Sequence, residues 1–422
     1  MTRDKTIRSY RGTRNACYYA YLAMASIFCL PSMLFLTFRE TYGISFTLLG
    51  TLVLVNFCTQ FGIDLIFTLF SRHFSVKWTI RFTPVLTALG LSLYALIPRF
   101  FPSHAYLGLL IGTFVFSVAA GLGEVLISPI VAALPSEHPD RDMSRLHSLY
   151  GYGVLFTVAV STLFLSLCGT DQWYLLALLL AVFPLIAGLI FFLVPIPDVE
   201  LHGEADKKQA ASVALSRRKG LVLCVFCIFL GSCAENAMTN WISSFLESAL
   251  RIPKAVGDVA GLAAFAMLLA LVRTVYAKIG RNILGVLLVG MIGATVCYLT
   301  AALAPSAILA MLACILTGVF TSMLWPGTLI LMEERFPAPG VAAYALMAAG
   351  GDLGGSVAPQ MLGAVVDAVS ASPLAQSLSP ALGLSAEQIG MKAGMLAGAI
   401  FPFLGIFLLL YMRRFFRRRA ES

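Results

Sequence analysis

The chain has 422 residues, of which 59% are hydrophobic and only 12% are charged, and its formal net charge at pH 7 is +8. A soluble protein carries about 25% charged residues. This shortage of charge, with a mean hydropathy of +0.88, excludes an ordinary soluble domain and indicates a surface that mostly faces lipid.

Long hydrophobic runs follow one another along the whole chain. Each holds roughly the 20 residues that an α-helix needs to cross the hydrocarbon layer, and backbone groups in lipid must pair within their own segment. The sequence therefore predicts an all-α integral membrane protein with twelve transmembrane helices. The predicted spans are 15–38, 44–71, 79–98, 105–134, 144–168, 173–194, 220–246, 255–277, 283–304, 306–332, 341–367 and 389–412.

The basic residues are distributed unevenly between the two sides of the membrane. With the N-terminus placed inside, 24 of the 29 Lys and Arg residues fall on the cytoplasmic side. This is the pattern of the positive-inside rule. It predicts a multi-pass protein of the cell (inner) membrane with both termini in the cytoplasm. The positive charge is thus a topology signal, and we expect no nucleic-acid partner.

The sequence offers no pattern for a cofactor, a metal or a disulfide framework. The nine cysteines fall in or at the ends of predicted spans. Cys224 and Cys227 form a C-x-x-C inside a span, without a second pair or a nearby histidine, which favours small apolar packing. No G-x-x-x-x-G-K-[ST] loop occurs. We therefore expect no cofactor, no metal and no ATP-driven pumping by this chain alone.

One long polar stretch, Pro195 to Lys219, divides the chain. It has no apolar periodicity and ends in basic residues, so we interpret it as a cytoplasmic linker. The predicted domains are an N-terminal six-helix bundle over 1–194, the linker over 195–219 and a C-terminal six-helix bundle over 220–422.

The two halves of the sequence share a spacing of Gly and Pro residues. Gly121 and Pro129 of the fourth span recur 197 residues later as Gly318 and Pro326 of the tenth span. Internal repeats of this kind are typical of secondary transporters, in which two helix bundles rock about a site near the bilayer midplane.

Four stretches resemble the patterns of one protein family. The fifth-span string 146–153 is similar to a His-Ser-x-Tyr-Gly-x-Gly pattern, and 121–129 is similar to a fourth-helix pattern with an acidic residue before Asn-Pro. The stretches 231–241 and 350–359 resemble the seventh and eleventh helices of the same group. The family is the major facilitator superfamily (MFS), and within it the fucose-permease-like sugar:proton symporters.

The resemblance implies two pseudo-symmetric six-helix bundles, with spans one, four, seven and ten around a central cavity. Two features depart from the family. The signature loop after the second helix lacks its Asp over 70–77, and the first-helix Asp is replaced around Ser32. The Gly-Pro signature of drug antiporters is missing from span five.

Ionisable groups inside spans are costly and mark functional sites. Glu124 lies deep in span four, with Ser128 one turn further on the same face. A carboxyl in such a low-dielectric setting readily holds a proton. We therefore predict that Glu124 couples transport to protons and that Glu124 and Ser128 contact the substrate, the alternative being a structural carboxyl.

Span seven carries a second polar group. Asn236 and Asn240 share a face beside Glu235 and Trp241, an arrangement suited to the hydroxyls and C–H faces of a sugar. We predict that these four residues bind substrate, and inter-helix hydrogen bonding is the alternative.

The tenth and eleventh spans add further candidates. Thr321 and Trp325 are predicted to line the substrate site at a helix break. The alternative is that they only pack against neighbouring helices. Asp352, Ser356 and Gln360 form a polar stripe that faces protein or water, because lipid contact is costly. Asp352 is interpreted as a gate or structural ion pair, and Ser356 and Gln360 as possible site residues.

The remaining candidates lie near helix ends. Asp64, Arg72 and Arg273 are assigned to gate or structural ion pairs rather than to substrate contact. His147 and Tyr150 are possible substrate or proton groups in span five.

The leading hypothesis is secondary active transport of a small polar solute such as a sugar, coupled to protons, by alternating access. Its expected partners are that solute, protons and the lipid bilayer, and we expect a monomer. The alternatives are efflux of amphipathic compounds and a non-transporting membrane receptor. An enzyme is not expected, since no nucleophile–base or metal set is clustered in the sequence.

Overall fold

A computed structural model of the chain describes residues 10–70, 74–137, 139–197, 199, 215–280, 282–336 and 341–420. Within these ranges every regular element is a helix and no strand occurs, so the predicted all-α fold is confirmed. The helices before residue 195 are α1 Arg11–Met33, α2 Phe35–Tyr42, α3 Phe46–Phe70, α4 Val76–Phe100, α5 Ala105–Ala133, α6 Pro139–Cys168 and α7 Trp173–Leu193.

The helices after the polar stretch are α8 Leu215–Ser244, α9 Ala264–Ile279, α10 Ile283–Leu303, α11 Ala307–Thr321, α12 Leu324–Arg335, α13 Val341–Ser370, α14 Pro373–Leu382, α15 Ala386–Gly398 and α16 Ile400–Ala420. Two π-helical segments, Phe245–Ala249 and Gly257–Ala263, continue α8 and lead into α9. Such π segments widen a helix locally and are frequent at functional positions.

The helices are long and apolar enough for a polytopic membrane protein. In the described part of the chain, 11 helical stretches satisfy the length and hydropathy of a span, and the bent pair α13–α14 makes up to 12. The pair is bent by 77°. The predicted twelve spans match this count when the bent pair is taken as one span.

The tenth predicted span is broken rather than continuous. α11 ends at Thr321 and α12 begins at Leu324. Pro326 is the third residue of α12, and the first turn of a helix tolerates proline because its N–H groups have no intrahelical acceptor. Two turn residues, Ser322 and Met323, therefore interrupt the helix in the middle of a span.

The chain packs into two compact units. Unit 1 contains Met1–Tyr42 and Cys58–Gly203, and unit 2 contains Gly43–Phe57 and Glu204–Ser422. Helix α3 therefore begins in unit 2 and ends in unit 1. The division into bundles over 1–194 and 220–422 stays a prediction, because hydropathy shows that a segment enters the membrane but not which helices it packs against.

In unit 1, a glycine brings α3 close to α5. A Cβ atom on Gly121 would lie 2.9 Å from the Ile63 Cβ and 3.2 Å from the Gln60 Cα. Only a residue without a side chain permits this approach. It places the turn of α3 after Gln60 beside the turn of α5 after Gly121.

Candidate functional site

Glu124 lies on α5, one turn after Gly121. Its side chain is accessible to solvent, although protein atoms surround it on most sides. This combination fits a side chain that lines an internal recess rather than one that faces lipid. Ser128, one turn further along, is half-buried.

Asp64 on α3 is the electrostatic neighbour of Glu124. The two carboxyl groups interact, and Tyr21 of α1 also interacts with Glu124. The Oδ1 atom of Asp64 is buried and has no hydrogen-bond partner. Among the described residues, no Lys or Arg contributes to the electrostatic environment of either carboxyl. The close approach at Gly121 thus brings together two acids without a described countercharge.

In unit 2, Glu235 is paired with a cation. The Arg273 Nη2 donates to Glu235 Oε1 at 3.1 Å and to Oε2 at 3.3 Å, and the Arg273 Nε donates to the Ser322 carbonyl at 2.8 Å. Arg273 of α9 therefore ties α8 to the break between α11 and α12. The side chains of Arg273 and Glu235 are 39% and 18% exposed, so the pair is only partly buried.

The two asparagines beside Glu235 use their amide hydrogens within α8. The Asn236 Nδ2 donates to the Ser232 carbonyl at 3.2 Å, and the Asn240 Nδ2 donates to the Asn236 carbonyl at 2.9 Å. The side-chain oxygens are the groups that remain for accepting hydrogen bonds from a solute hydroxyl.

The three remaining candidates for substrate binding differ in how far their side chains are exposed. Trp241 is 1% exposed, and its Nε1 donates to the Pro359 carbonyl at 3.0 Å. Thr321 is 0% exposed and donates to the Thr317 carbonyl. Trp325 is half-buried and packs against Gly351. Of the three, Trp325 alone has accessible surface of more than about 1% in this conformation.

The polar stripe on α13 is divided between different environments. Ser356 is 0% exposed and donates to the Leu353 carbonyl of its own helix. The Gln360 Oε1 accepts a hydrogen bond from Thr51 at 3.1 Å, and Asp352 is half-buried. The structure therefore uses Ser356 and Gln360 in internal contacts. Arg72 and the side chains of His147 and Tyr150 lie outside the described residues.

Sequence reasoning missed Asp258, although it lies inside a predicted span. Its side chain is 0% exposed, the Ser243 hydroxyl donates to it, and Lys254 lies 3.5 Å away. Lys254 also lies 3.6 Å from Glu247. The spacing of Lys254 and Asp258 by four residues is the signal that predicts such a pair on a helix.

Asp367 is the second missed residue. Its carboxylate accepts hydrogen bonds from the Phe46 N–H at 3.1 Å and from the Thr47 N–H and hydroxyl, each at 2.6 Å. It stands at the end of the predicted span 341–367, and no local pattern indicates a partner 320 residues away.

The helical units, the count of spans and the intramembrane charges define a polytopic membrane transport protein. The chain belongs to the Major Facilitator Superfamily, whose family model matches residues 18–359. This confirms the family that the sequence motifs predicted. No curated protein sequence matches the chain.

Solved structures with the same fold include several transporters. A bacterial homolog of the human lysosomal transporter Spinster, inward-facing and occupied, has a TM-score of 0.77 at 14% identity, covering 97% of this chain and 98% of that one. A D-xylose-proton symporter has a TM-score of 0.73 at 14% identity, covering 94% and 97%. A single-residue variant of the E. coli fucose:proton symporter FucP has a TM-score of 0.58 at 16% identity, covering 96% and 99%.

Proposed function

We propose that this MFS transporter carries a small polar solute, such as a sugar, by proton-coupled alternating access. We also propose that it lies in the inner membrane with both termini in the cytoplasm. Proteins of the same fold include symporters of fucose and D-xylose with protons and a nucleoside transporter. Their solutes are small, polar and rich in hydroxyl groups, and they define the first compounds to test.

The observation that carries the proton coupling is the contrast between the acids of the two units. Glu235 has its countercharge, Arg273, at 3.1 Å. Glu124 has a second acid, Asp64, as its neighbour and no described cation. Two carboxyls close together in a low dielectric do not both ionise readily. We therefore assign the transported proton to the pair in unit 1, whereas Arg273 compensates a negative charge on Glu235.

The Glu235–Arg273 pair supports recognition of a solute with hydroxyl groups. A hydroxyl can donate to the carboxylate and accept from the guanidinium, so a neutral solute meets both charges without leaving either unpaired. The side-chain oxygens of Asn236 and Asn240 add acceptors on the same helix. We assign solute binding to this face of α8 and proton binding to Glu124.

The test begins with the solute. Purified protein is screened by thermal shift against D-xylose, L-fucose and uridine, because a ligand that binds only the folded form raises the melting temperature. Glu124→Gln then mimics the protonated carboxyl. We expect the variant to bind solute and to exchange it in counterflow, but to lose uphill accumulation driven by a proton gradient.

The matched control is Glu235→Gln, which leaves Glu124 intact and is expected to weaken solute binding instead. If Glu124→Gln accumulates solute as well as the parent protein does, the proton is carried elsewhere or coupling is absent, and the proposal is wrong. If sugars and nucleosides all fail to bind while a charged solute binds, the proposed solute class is wrong.

A further inference from the structure

Arg81 of α4 binds the C-terminal end of a neighbouring helix in unit 1. Helix α7 ends at Leu193, and the last carbonyl groups of a helix have no intrahelical donor. The carbonyl of Phe191 cannot be served by the residue four positions on, because that residue is Pro195, which has no N–H. The Arg81 Nε donates to this carbonyl at 3.1 Å. The bond fixes the guanidinium at the level of the last turn of α7.

Three exposed aromatic rings surround this guanidinium. Its Cζ lies 5.3 Å from the centre of the Trp78 ring and 5.7 Å from the centre of the Phe192 ring. The Phe82 ring lies 6.2 Å from Trp78 and 5.6 Å from Phe192, between centroids. Trp78, Phe82 and Phe192 are 52%, 55% and 42% exposed. Because a cation is attracted to the face of an aromatic ring, the rings and the Phe191 carbonyl together hold the charge at the surface of unit 1.

A second cation lies one turn from the first. Lys77 is exposed and precedes Arg81 by four residues, and side chains at this spacing share one face of a helix. In the described part of the chain, neither cation has a carboxylate within ion-pair distance. We call Lys77, Trp78, Arg81, Phe82 and Phe192 the basic aromatic patch.

The basic aromatic patch lies near the end of a span, at the depth of the lipid headgroups. Helix α4 has 25 residues. At 1.5 Å per residue it is about 37 Å long, whereas the hydrocarbon layer is about 30 Å thick. Its ends therefore reach the headgroup region, where tryptophan and the charged heads of long basic side chains are typically found. The proposed orientation puts this end in the cytoplasmic leaflet, in which anionic lipids are concentrated.

We propose that the basic aromatic patch binds the headgroup of an anionic phospholipid such as phosphatidylglycerol. The lipid phosphate accepts hydrogen bonds from the Arg81 guanidinium, whose planar fork matches phosphate oxygens, and from the Lys77 ammonium. The exposed rings contact the adjoining acyl chains, which a free phosphate ion lacks. A zwitterionic headgroup brings a cation of its own to two that are already present, so a headgroup with net negative charge binds more tightly.

The test is the affinity of phosphatidylglycerol for the delipidated full-length protein, measured by native mass spectrometry. Phosphatidylcholine with the same acyl chains is the reference, and we expect it to bind the parent protein more weakly. Lys77→Gln removes one cation and keeps the contacts of Arg81. It should weaken phosphatidylglycerol binding by about fivefold, with a smaller effect on phosphatidylcholine. Arg81→Gln should weaken it at least as much, but it also breaks the bond to Phe191, so Lys77→Gln decides the result if Arg81→Gln fails to fold.

The matched control is Arg99→Gln at the other end of α4. The Arg99 Cζ lies 5.2 Å from the centre of the Tyr174 ring of α7, so the substitution removes the same charge and the same kind of ring contact. No Lys or Arg stands three or four residues from Arg99 in the sequence. Phosphatidylglycerol binding by Arg99→Gln should stay within about twofold of the parent.

Equal affinity of the parent for the two lipids overturns the proposal, and so does an unchanged affinity in Lys77→Gln. An equal loss in Arg99→Gln also overturns it, because the overall charge of the protein would then attract the lipid. Displacement of phosphatidylglycerol by millimolar inorganic phosphate would show a phosphate site that needs no acyl chains, contrary to the proposal. The measurement uses neither solute nor a proton gradient, so its failure is distinguishable from failure of the proposed function.

Discussion

The intramembrane acids differ in what lies next to them. Glu235 is held by Arg273, while Glu124 faces Asp64. The sequence located both glutamates, because a charge inside an apolar run is visible without a structure. It did not locate their partners, since Arg273 is 38 residues from Glu235 and meets it only through helix packing.

The interaction between Glu235 and Arg273 can be measured by a double-mutant cycle. Removing one partner of a buried pair costs about 3–5 kcal/mol. Because the Arg273 side chain is 39% exposed, we expect Arg273→Gln to lower the free energy of unfolding by a smaller amount, about 1–2 kcal/mol. Glu235→Gln in the same chain should recover part of that loss.

The measurement is the melting temperature of the parent, both single variants and the double variant in one detergent. A double variant whose loss equals the sum of the single losses would show that the two residues do not interact, contrary to the distances of 3.1 and 3.3 Å between them.

Among the elements, α3 and α5 depend on Gly121 for their close approach. A methyl group there meets the Ile63 side chain, and overpacking of this kind costs about 1–3 kcal/mol. We expect Gly121→Ala to lower the melting temperature and to weaken proton-driven accumulation, because it separates Asp64 from Glu124.

Gly62 on α3 is the matched control. A Cβ atom there meets nothing within 4 Å, so Gly62→Ala should be neutral or stabilising by about 0.5–1 kcal/mol, as for glycine in other helices. Equal destabilisation by both substitutions would mean that helix propensity, not the contact with Ile63, determines the effect.

The existence of the helices was predictable from hydropathy, whereas their irregularities were not. The predicted span 306–332 is divided at Ser322, and the predicted span 220–246 runs on into the π-helical segment Phe245–Ala249. Hydropathy averages over a window and therefore does not register one or two residues of altered backbone. Side chains such as Arg273 stabilise the break, and they come from another helix.

For the whole molecule, the charge distribution predicts the orientation in the membrane. An even number of spans places both termini on the same side, and the excess of Lys and Arg there indicates the cytoplasm. We expect a C-terminal green fluorescent protein fusion to fluoresce and a C-terminal alkaline phosphatase fusion to be inactive. An active phosphatase at that position would contradict both the orientation and the count of twelve.

Because Gly43–Phe57 packs in unit 2 with residues after Glu204, the order of synthesis matters for this protein. Phe46 leaves the ribosome 321 residues before Asp367. At about 5–20 residues per second, the delay is on the order of tens of seconds. During that time the Phe46 and Thr47 N–H groups lack the Asp367 carboxylate, and the apolar surface of α3 has to be covered by lipid or by the insertion machinery. Biogenesis of the N-terminal half is therefore completed only when the last third of the chain has been translated.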